Sequence, residues 1–342
     1  MVDNDFYIVA MGASLGGINA FSMMAADFPQ DFPAPVFIVQ HNSGASKNYL
    51  VQMLAGKGPL EVAEPSDGEE IKPGIIYIAR PNHHLLIKNG YVITPYGPRE
   101  NRFRPAIDVL FRSAAAVYTT KVVAVLLTGY LDDGVSGLSA VKRCGGTVIV
   151  QDPDEAEIPD MPKNAIENVA VDHILPINEI PEKLAEIVRL PYKAPVQVPE
   201  DILEKIRVSE HRVPGIEDMH KIGELTSFTC PECGGTMWSS KDEPLGRFVC
   251  HTGHSFTTKS FLAGQAEVLE NSLWAALQFM DQRIKLLQSM IDEEQKKGRQ
   301  MYMDNFKKTQ RELEHHLKVI RDFILSGSLS PAGDSAESHQ DK

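Results

Sequence analysis

The chemistry open to this chain begins at Gly12-Ala13-Ser14-Leu15-Gly16-Gly17. Gly12 to Gly16 fits G-x-S-x-G, the pattern that holds a nucleophilic serine on a tight turn at the carboxyl end of a strand. Small neighbours let the turn take positive φ and let a substrate approach the backbone. Amides opening a following helix would lie beside Ser14, where they favour a developing oxyanion. A serine nucleophile also needs a base, and a group that orients the base. His41 ends the apolar run Val36-Phe37-Ile38-Val39-Gln40, and Asp132 and Asp133 follow the run Val122 to Leu127. Ser14, His41 and one of these aspartates make a candidate triad in the chain order Ser…His…Asp. The same turn also suits a phosphate site, or a capping serine with no shared chemistry. A dinucleotide site would want G-x-G-x-x-G and an acidic residue ending the second strand. Here Ser14 replaces the middle glycine and Gln40-His41 ends that strand, so both requirements fail.

For these side chains to meet, the runs that carry them must be neighbouring strands with their carboxyl ends at one edge. The Val- and Ile-rich runs at 6–11, 35–40, 122–127 and 147–151 are separated by helical patterns. Continuous apolar strands of this kind are buried on both faces, as in a doubly wound, mostly parallel α/β sheet. Ligands gather at the carboxyl ends of such strands. Leu85 to Thr94 departs from the pattern. Its Asn89-Gly90 between two β-prone runs predicts an antiparallel hairpin inserted in the α/β unit. Pro105 to Tyr118 reads as a helix with Ile107, Leu110, Phe111 and Ala114 on one face, and residues 178–190 read as the domain's last helix. Pro191, Pro195, Pro199 and Pro214 punctuate linker-like chain, with a short helix expected near 200–208.

Composition narrows the class. With 342 residues the chain has room for about two domains. Its net charge of -12 argues against non-specific nucleic-acid binding, which needs a basic footprint. No apolar stretch approaches the ~18 residues of a membrane span. The acidic start Met1-Val2-Asp3-Asn4-Asp5 is unlike a secretory signal, and a cytoplasmic location is expected. Cys144 stands alone and reads as a small buried apolar residue.

Five motifs in order over residues 6–190 resemble the catalytic domain of the CheB-type chemotaxis protein-glutamate methylesterases. They are Gly12–Gly17, Gln40-His41, Pro73-Gly74-Ile75-Ile76-Tyr77-Ile78-Ala79, Leu127-Thr128-Gly129 with Asp133-Gly134, and Gly145-Gly146 with Gln151-Asp152-Pro153 and Met161-Pro162. The resemblance implies hydrolysis of glutamate γ-methyl esters on methyl-accepting chemoreceptors, with receptor glutamine deamidation in some members. It places the catalytic serine, histidine and aspartate on Ser14, His41 and Asp133, and catalysis needs no cofactor. Backbone amides near Leu15 and Tyr130 are the expected oxyanion hole. The family usually carries Met-Gly at Tyr130-Leu131 and a small residue at Arg80. Many members carry an N-terminal receiver domain; here the catalytic strand opens the chain, and a stand-alone form without gating by phosphorylation in cis is expected.

Cys230-Pro231-Glu232-Cys233 followed by Cys250 and a histidine has zinc-ribbon spacing, C-x2-C then C-x3-H. Thiolates and imidazole suit tetrahedral Zn²⁺, and four protein ligands close the site and make it structural. His251 adjoins Cys250 and is less well placed. In methylesterases extended by such a module the pattern is Cys-x-x-Gly-His, which implies Cys230, Cys233, Cys250 and His254. Beyond it, Leu262 to Ile291 and Phe306 to Ile324 repeat at helical spacing around Gly298, predicting a helical hairpin. The expected organisation is a catalytic domain over 1–190, a linker over 191–225, a zinc-ribbon-like module over 226–258, the hairpin over 259–325 and a disordered tail over 326–342. The linker is expected to let the esterase domain fold without the ribbon. The pairs His83-His84 and His315-His316 read as surface or loop residues. The alternative to an enzyme is an adaptor that binds receptors or signalling partners through the C-terminal module.

Overall fold

The computed structural model describes residues 6–41, 48–210, 219, 223–240 and 245–327. Asn42, parts of the linker and the tail from residue 328 lie outside them. The chain divides into two compact units, Met1–Ser260 and Phe261–Lys342.

The first unit is built on a seven-stranded sheet. Its strands are β1 (Ile8–Ala13), β2 (Val36–Gln40), β3 (Glu61–Ala63), β4 (Ile75–Ile78), β7 (Val122–Leu126), β8 (Thr147–Gln151) and β9 (His173–Leu175). The order is β3-β4-β2-β1-β7-β8-β9, and every pairing is parallel. The two-residue period of a strand sends Ile8 and Ala10 into one apolar cluster and Val9 and Met11 into the other, on the opposite face. This two-sided burial explains the unbroken apolar runs, and the doubly wound sheet matches expectation. Between β4 and β7 the chain makes the hairpin β5 (Leu86–Lys88) and β6 (Tyr91–Ile93), with Lys88 opposite Tyr91. Asn89 (φ 50°) and Gly90 (φ 84°) are both left-handed, as the two-residue turn requires.

The helices are α1 (Gly17–Asp27), α2 (Tyr49–Leu54), α3 (Ile107–Tyr118), α4 (Val135–Arg143), α5 (Asp160–Asn168), α6 (Ile180–Ile187) and α7 (Glu200–Ser209). α7 interrupts the expected linker. Its Ile202 is buried in the same apolar cluster as Ile107 and Leu110, and its Asp201 pairs with Arg143 at 2.6 Å. The first unit also holds an antiparallel sheet of β10 (Glu224–Thr229), β11 (Thr236–Ser240), β12 (Arg247–Cys250) and β13 (Ser255–Phe256). It carries the cysteine motif.

The second unit contains most of the helix Thr258–Lys296 and all of Gln300–Leu325. They meet at Gly298 (φ 68°), the break seen in the periodicity. Gln310 donates to Gln288 across the pair, 3.1 Å, so the helices run antiparallel. No helix among the described residues is long and apolar enough to cross a membrane.

Candidate active site and metal centre

β1 lies between β2 and β7, so the carboxyl ends of all three strands adjoin. Ala13 faces Gln40 and Gly12 faces both Val39 and Leu126. Ser14, one residue past β1, donates its amide to the Thr128 carbonyl (3.0 Å), and the His41 amide donates to the Ala13 carbonyl (3.1 Å). Gln40 ties the two strand ends together, its Nε2 donating to the carbonyls of Ser14 (2.7 Å) and His41 (3.0 Å). Gly16 caps α1 at φ 82°, a conformation that a side chain would strain. Gly129 matters for space: a Cβ there would come within 2.6 Å of Ser14 Cβ and 2.3 Å of Met161 Sδ. The backbone of the β7 loop therefore lies directly against the serine. The amides of Leu15 and Tyr130 have no acceptor among the described residues, and both residues are exposed.

His41 and Asp133 meet across 92 residues of sequence, Nε2 to Oδ2, at 2.7 Å. Both are buried. Asp133 also accepts from Asn101 Nδ2 (2.9 Å), the Ile107 amide (2.8 Å) and the Asp108 amide (3.3 Å). Burial alone would raise its pKa. The hydrogen bond and charge of His41, with the bonds from Asn101 and Ile107, outweigh burial and hold it below the usual range. An ionised carboxylate only accepts, so the neutral imidazole carries its proton on Nε2. That leaves Nδ1 as the basic nitrogen, and it is buried with no hydrogen-bond partner among the described residues. The ring of Phe103 stacks on the imidazole, centroids 3.6 Å apart and planes at 7°. Ser14, His41 and Phe103 share a cleft of about 610 Å³ whose other walls include Leu15, Ile18, Asn19 and Glu157.

The neighbouring carboxyls differ from Asp133. Burial raises Asp132 to about 6, and its Oδ1 accepts from Thr257 Oγ1 at 2.8 Å. Burial, then the charges of Asp133 and Glu100, push Asp108 far above its ordinary value. Of the three, Asp133 is the one whose pKa is lowered, and Asp132 and Asp108 are both raised. His84 departs from the surface or loop reading of the pair His83-His84. It is buried, and desolvation lowers it to about 4. Its Nε2 donates to Pro98 O (2.8 Å) and its Nδ1 accepts from the Ala106 amide (3.3 Å), so it is a neutral core histidine.

The four sulfur and nitrogen candidates also come together. Ligand atoms of Cys230, Cys233, Cys250 and His254 all lie within 4.8 Å of one another. Cys233 and Cys250 sulfurs are 3.8 Å apart, and His254 Nδ1 is 3.6 Å from Cys250 Sγ and 3.8 Å from Cys230 Sγ. A tetrahedron with Zn–S of about 2.3 Å and Zn–N of about 2.0–2.1 Å has S···S edges of about 3.8 Å and S···N edges of about 3.6 Å. Donor set and spacing both fit Zn²⁺. His251 lies beside Cys233 and Gly235, outside this set.

A family model described as CheB methylesterase matches residues 9–184. The chain belongs to the CheB methylesterase family. A Leptospira interrogans relative of this methylesterase family is 40% identical over 179 residues, 52% of this chain and 93% of its own length. The Thermotoga maritima protein-glutamate methylesterase/protein-glutamine glutaminase is 41% identical over 185 residues, 53% of this chain and 54% of that protein. The chain thus spans about half the length of that relative. The crystal structure of the Thermotoga maritima CheB methylesterase catalytic domain superposes with a TM-score of 0.52 at 40% identity, covering 54% of this chain and all of that one.

The ribbon and the long helices lie beyond the part matched by the CheB methylesterase model. Within that part, Leu131, where the resemblance leads one to expect glycine, adopts φ 63°, the left-handed conformation glycine takes freely. Asn164 Nδ2 holds the Leu131 carbonyl at 2.7 Å. Arg80 is exposed, with Glu64 3.7 Å away. Sequence reasoning missed Asn101 and Phe103. Both sit on an irregular loop, and no spacing or motif links that loop to His41.

Proposed function

We propose that this protein is a serine-type protein-glutamate methylesterase. It hydrolyses glutamate γ-methyl esters of methyl-accepting chemoreceptors to glutamate and methanol. The observation that carries the reading is the buried His41–Asp133 pair with an unpartnered Nδ1, in one cleft with Ser14. Ser14 Oγ attacks the ester carbonyl as His41 Nδ1 takes its proton. The amides of Leu15 and Tyr130, which have no acceptor among the described residues, receive the oxyanion in this reading. Collapse expels methanol, protonated by His41, and leaves an acyl-enzyme on Ser14. Water, activated by the same nitrogen, then releases the glutamate side chain. Asp133 holds the tautomer and stabilises the imidazolium as it forms. A receptor glutamine would follow the same path with ammonia leaving. We assign Zn²⁺ to Cys230, Cys233, Cys250 and His254, where four protein ligands leave no open position for substrate and the metal's part is structural.

The test is methanol release from methylated receptor. Ser14→Ala should lower it by about 10⁴-fold or more while receptor binding persists. Equal release by wild type and Ser14→Ala would overturn the mechanism, and would favour the adaptor reading if neither released methanol above the buffer rate.

A further inference from the structure

The loop carrying Asn101 and Phe103 is held from outside the family-matched region. The Asn101 amide donates to Ser255 O (2.7 Å), and the Ser255 amide donates to Arg99 O (3.2 Å). Asn101 Oδ1 accepts from the Thr257 amide (3.0 Å) and from Ser260 Oγ (3.2 Å). Its Nδ2 serves the carboxylates of Asp133 and Asp108, each at 2.9 Å. Thr257 Oγ1 reaches Asp132 and Ser260. All these residues belong to the first unit, and all but Arg99 are buried.

The chemistry of this network is directional. An amide has one accepting end and one donating end. Thr257 N–H and Ser260 O–H fix the oxygen of Asn101, and so leave its NH₂ facing Asp133. Turned by half a rotation, Asn101 would set its oxygen against an anionic carboxylate, and the His41–Asp133 pair would lose a donor. Asn101 (φ 51°) and Arg102 (φ 74°) are also consecutive left-handed residues, a conformation that persists only where surroundings impose it. Two residues further on, Phe103 stacks on His41.

We infer that the hydroxyls of Thr257 and Ser260, where the ribbon passes into the helix Thr258–Lys296, are positioning groups for the esterase: Ser260 Oγ donates to Asn101 Oδ1 and Thr257 Oγ1 holds Ser260 by accepting from its amide (3.1 Å), beside the Thr257 amide, a donor to Asn101 that side-chain substitution leaves in place. Through Asn101 they set the donor that Asp133 uses to orient His41. The inference rests on the triad proposed above, and its test reads the triad separately. The full-length chain is compared as wild type, Thr257→Val with Ser260→Ala, Thr257→Ser with Ser260→Thr, and Ser14→Ala. A fluorophosphonate probe reports the reactivity of Ser14, and methyl-ester turnover reports kcat and KM. The His41 Nε2–H resonance reports its bond to Asp133. The hydroxyl-free double variant should label about tenfold more slowly and lose kcat to the same extent, with KM unchanged and the Nε2–H resonance displaced. The hydroxyl-retaining variant should restore all three. Wild-type labelling, kcat and resonance in the hydroxyl-free variant, measured well below its melting temperature, would overturn the inference even if that variant melts earlier. Labelling of Ser14→Ala at the wild-type rate would instead overturn the triad.

Discussion

Asp132 and Asp133 are adjacent in sequence and opposite in environment. Four donors face Asp133, whereas Asp132 Oδ2 is buried without a partner among the described residues. The residues alone left the two open as orienter, because a strand end brings both to the same edge; donors arriving from Asn101 and α3 separate them. A consequence for stability follows. Burial raises Asp132 to about 6 in the folded state, above an unfolded value near ~3.9. Between these values the folded state binds the extra proton, so stability falls as pH rises from ~4 to ~6 and the cost is complete above that. Asp132→Asn should therefore gain on wild type by up to ~3 kcal/mol between pH 4 and pH 7, whatever its offset at pH 4. Urea unfolding at the two pH values measures it, and parallel pH profiles would refute it. Gly129→Ala tests the approach of the β7 loop to the nucleophile. Its Cβ would meet Ser14 Cβ at 2.6 Å, so the serine or the loop must shift. A displacement near 1 Å costs on the order of 10²-fold in rate, and kcat should fall by about that much with the protein still folded by circular dichroism.

Elements with a strong period were legible and short ones were not. β1, β2, β7 and β8 announce themselves as unbroken Val- and Ile-rich runs because both sheet faces are buried, and Asn89-Gly90 fixes the hairpin because its turn needs two left-handed residues. β3 and β9, three residues each at the sheet edges, carry no such pattern, and neither strand has a buried residue. The loop between β6 and α3 was illegible for another reason: what shapes it is an ion pair. Glu100 is bound by Arg112 through two bonds of 2.7 and 2.6 Å, and Arg247 Nη1 lies 3.5 Å away. Burial opposes the charge of Glu100, but Arg112 and then Arg247 override it and hold the carboxyl at about 2. Removing one member of a buried pair costs about 3–5 kcal/mol, because the other charge stays buried. Arg112→Met should lose that much by urea unfolding, with Arg247 moderating the loss. A change below about 1 kcal/mol would mean that Arg247 alone compensates Glu100.

For the molecule as a whole, the proline-rich stretch suggests that the ribbon hangs free, and the contacts oppose this. The exposed chain at Pro191–Pro195 does read as a linker, but α7 then returns to the core through Ile202. The ribbon sheet closes on the catalytic loop: Arg247 Nη2 donates to Ser255 Oγ (3.2 Å) beside Glu100, Arg99 pairs with Glu232 (3.1 Å), and a Cβ on Gly253 would touch Pro98 and Val208. Such returns are long-range and leave no mark on composition, so the sequence points to the four residues that cluster in the ribbon far better than to the ribbon's attachment. With the Zn²⁺ assignment proposed above, metal binding and esterase folding share one free energy. A ligand bound only by the folded state stabilises by about 4 kcal/mol at a free concentration a thousand times its Kd. For a unit of this size about 2–4 °C accompanies each kcal/mol, so stripping Zn²⁺ with a chelator should lower the melting of the α/β core by about 8–16 °C. Cys230→Ser should do the same without chelator. A metal indicator verifies release, and intrinsic near-ultraviolet dichroism of the core follows unfolding. If the metal leaves and the core melts where it did before, the ribbon is an independent module after all. Thr257 and Ser260 would then have to hold Asn101 without help from the metal site that begins three residues upstream of Thr257, at His254.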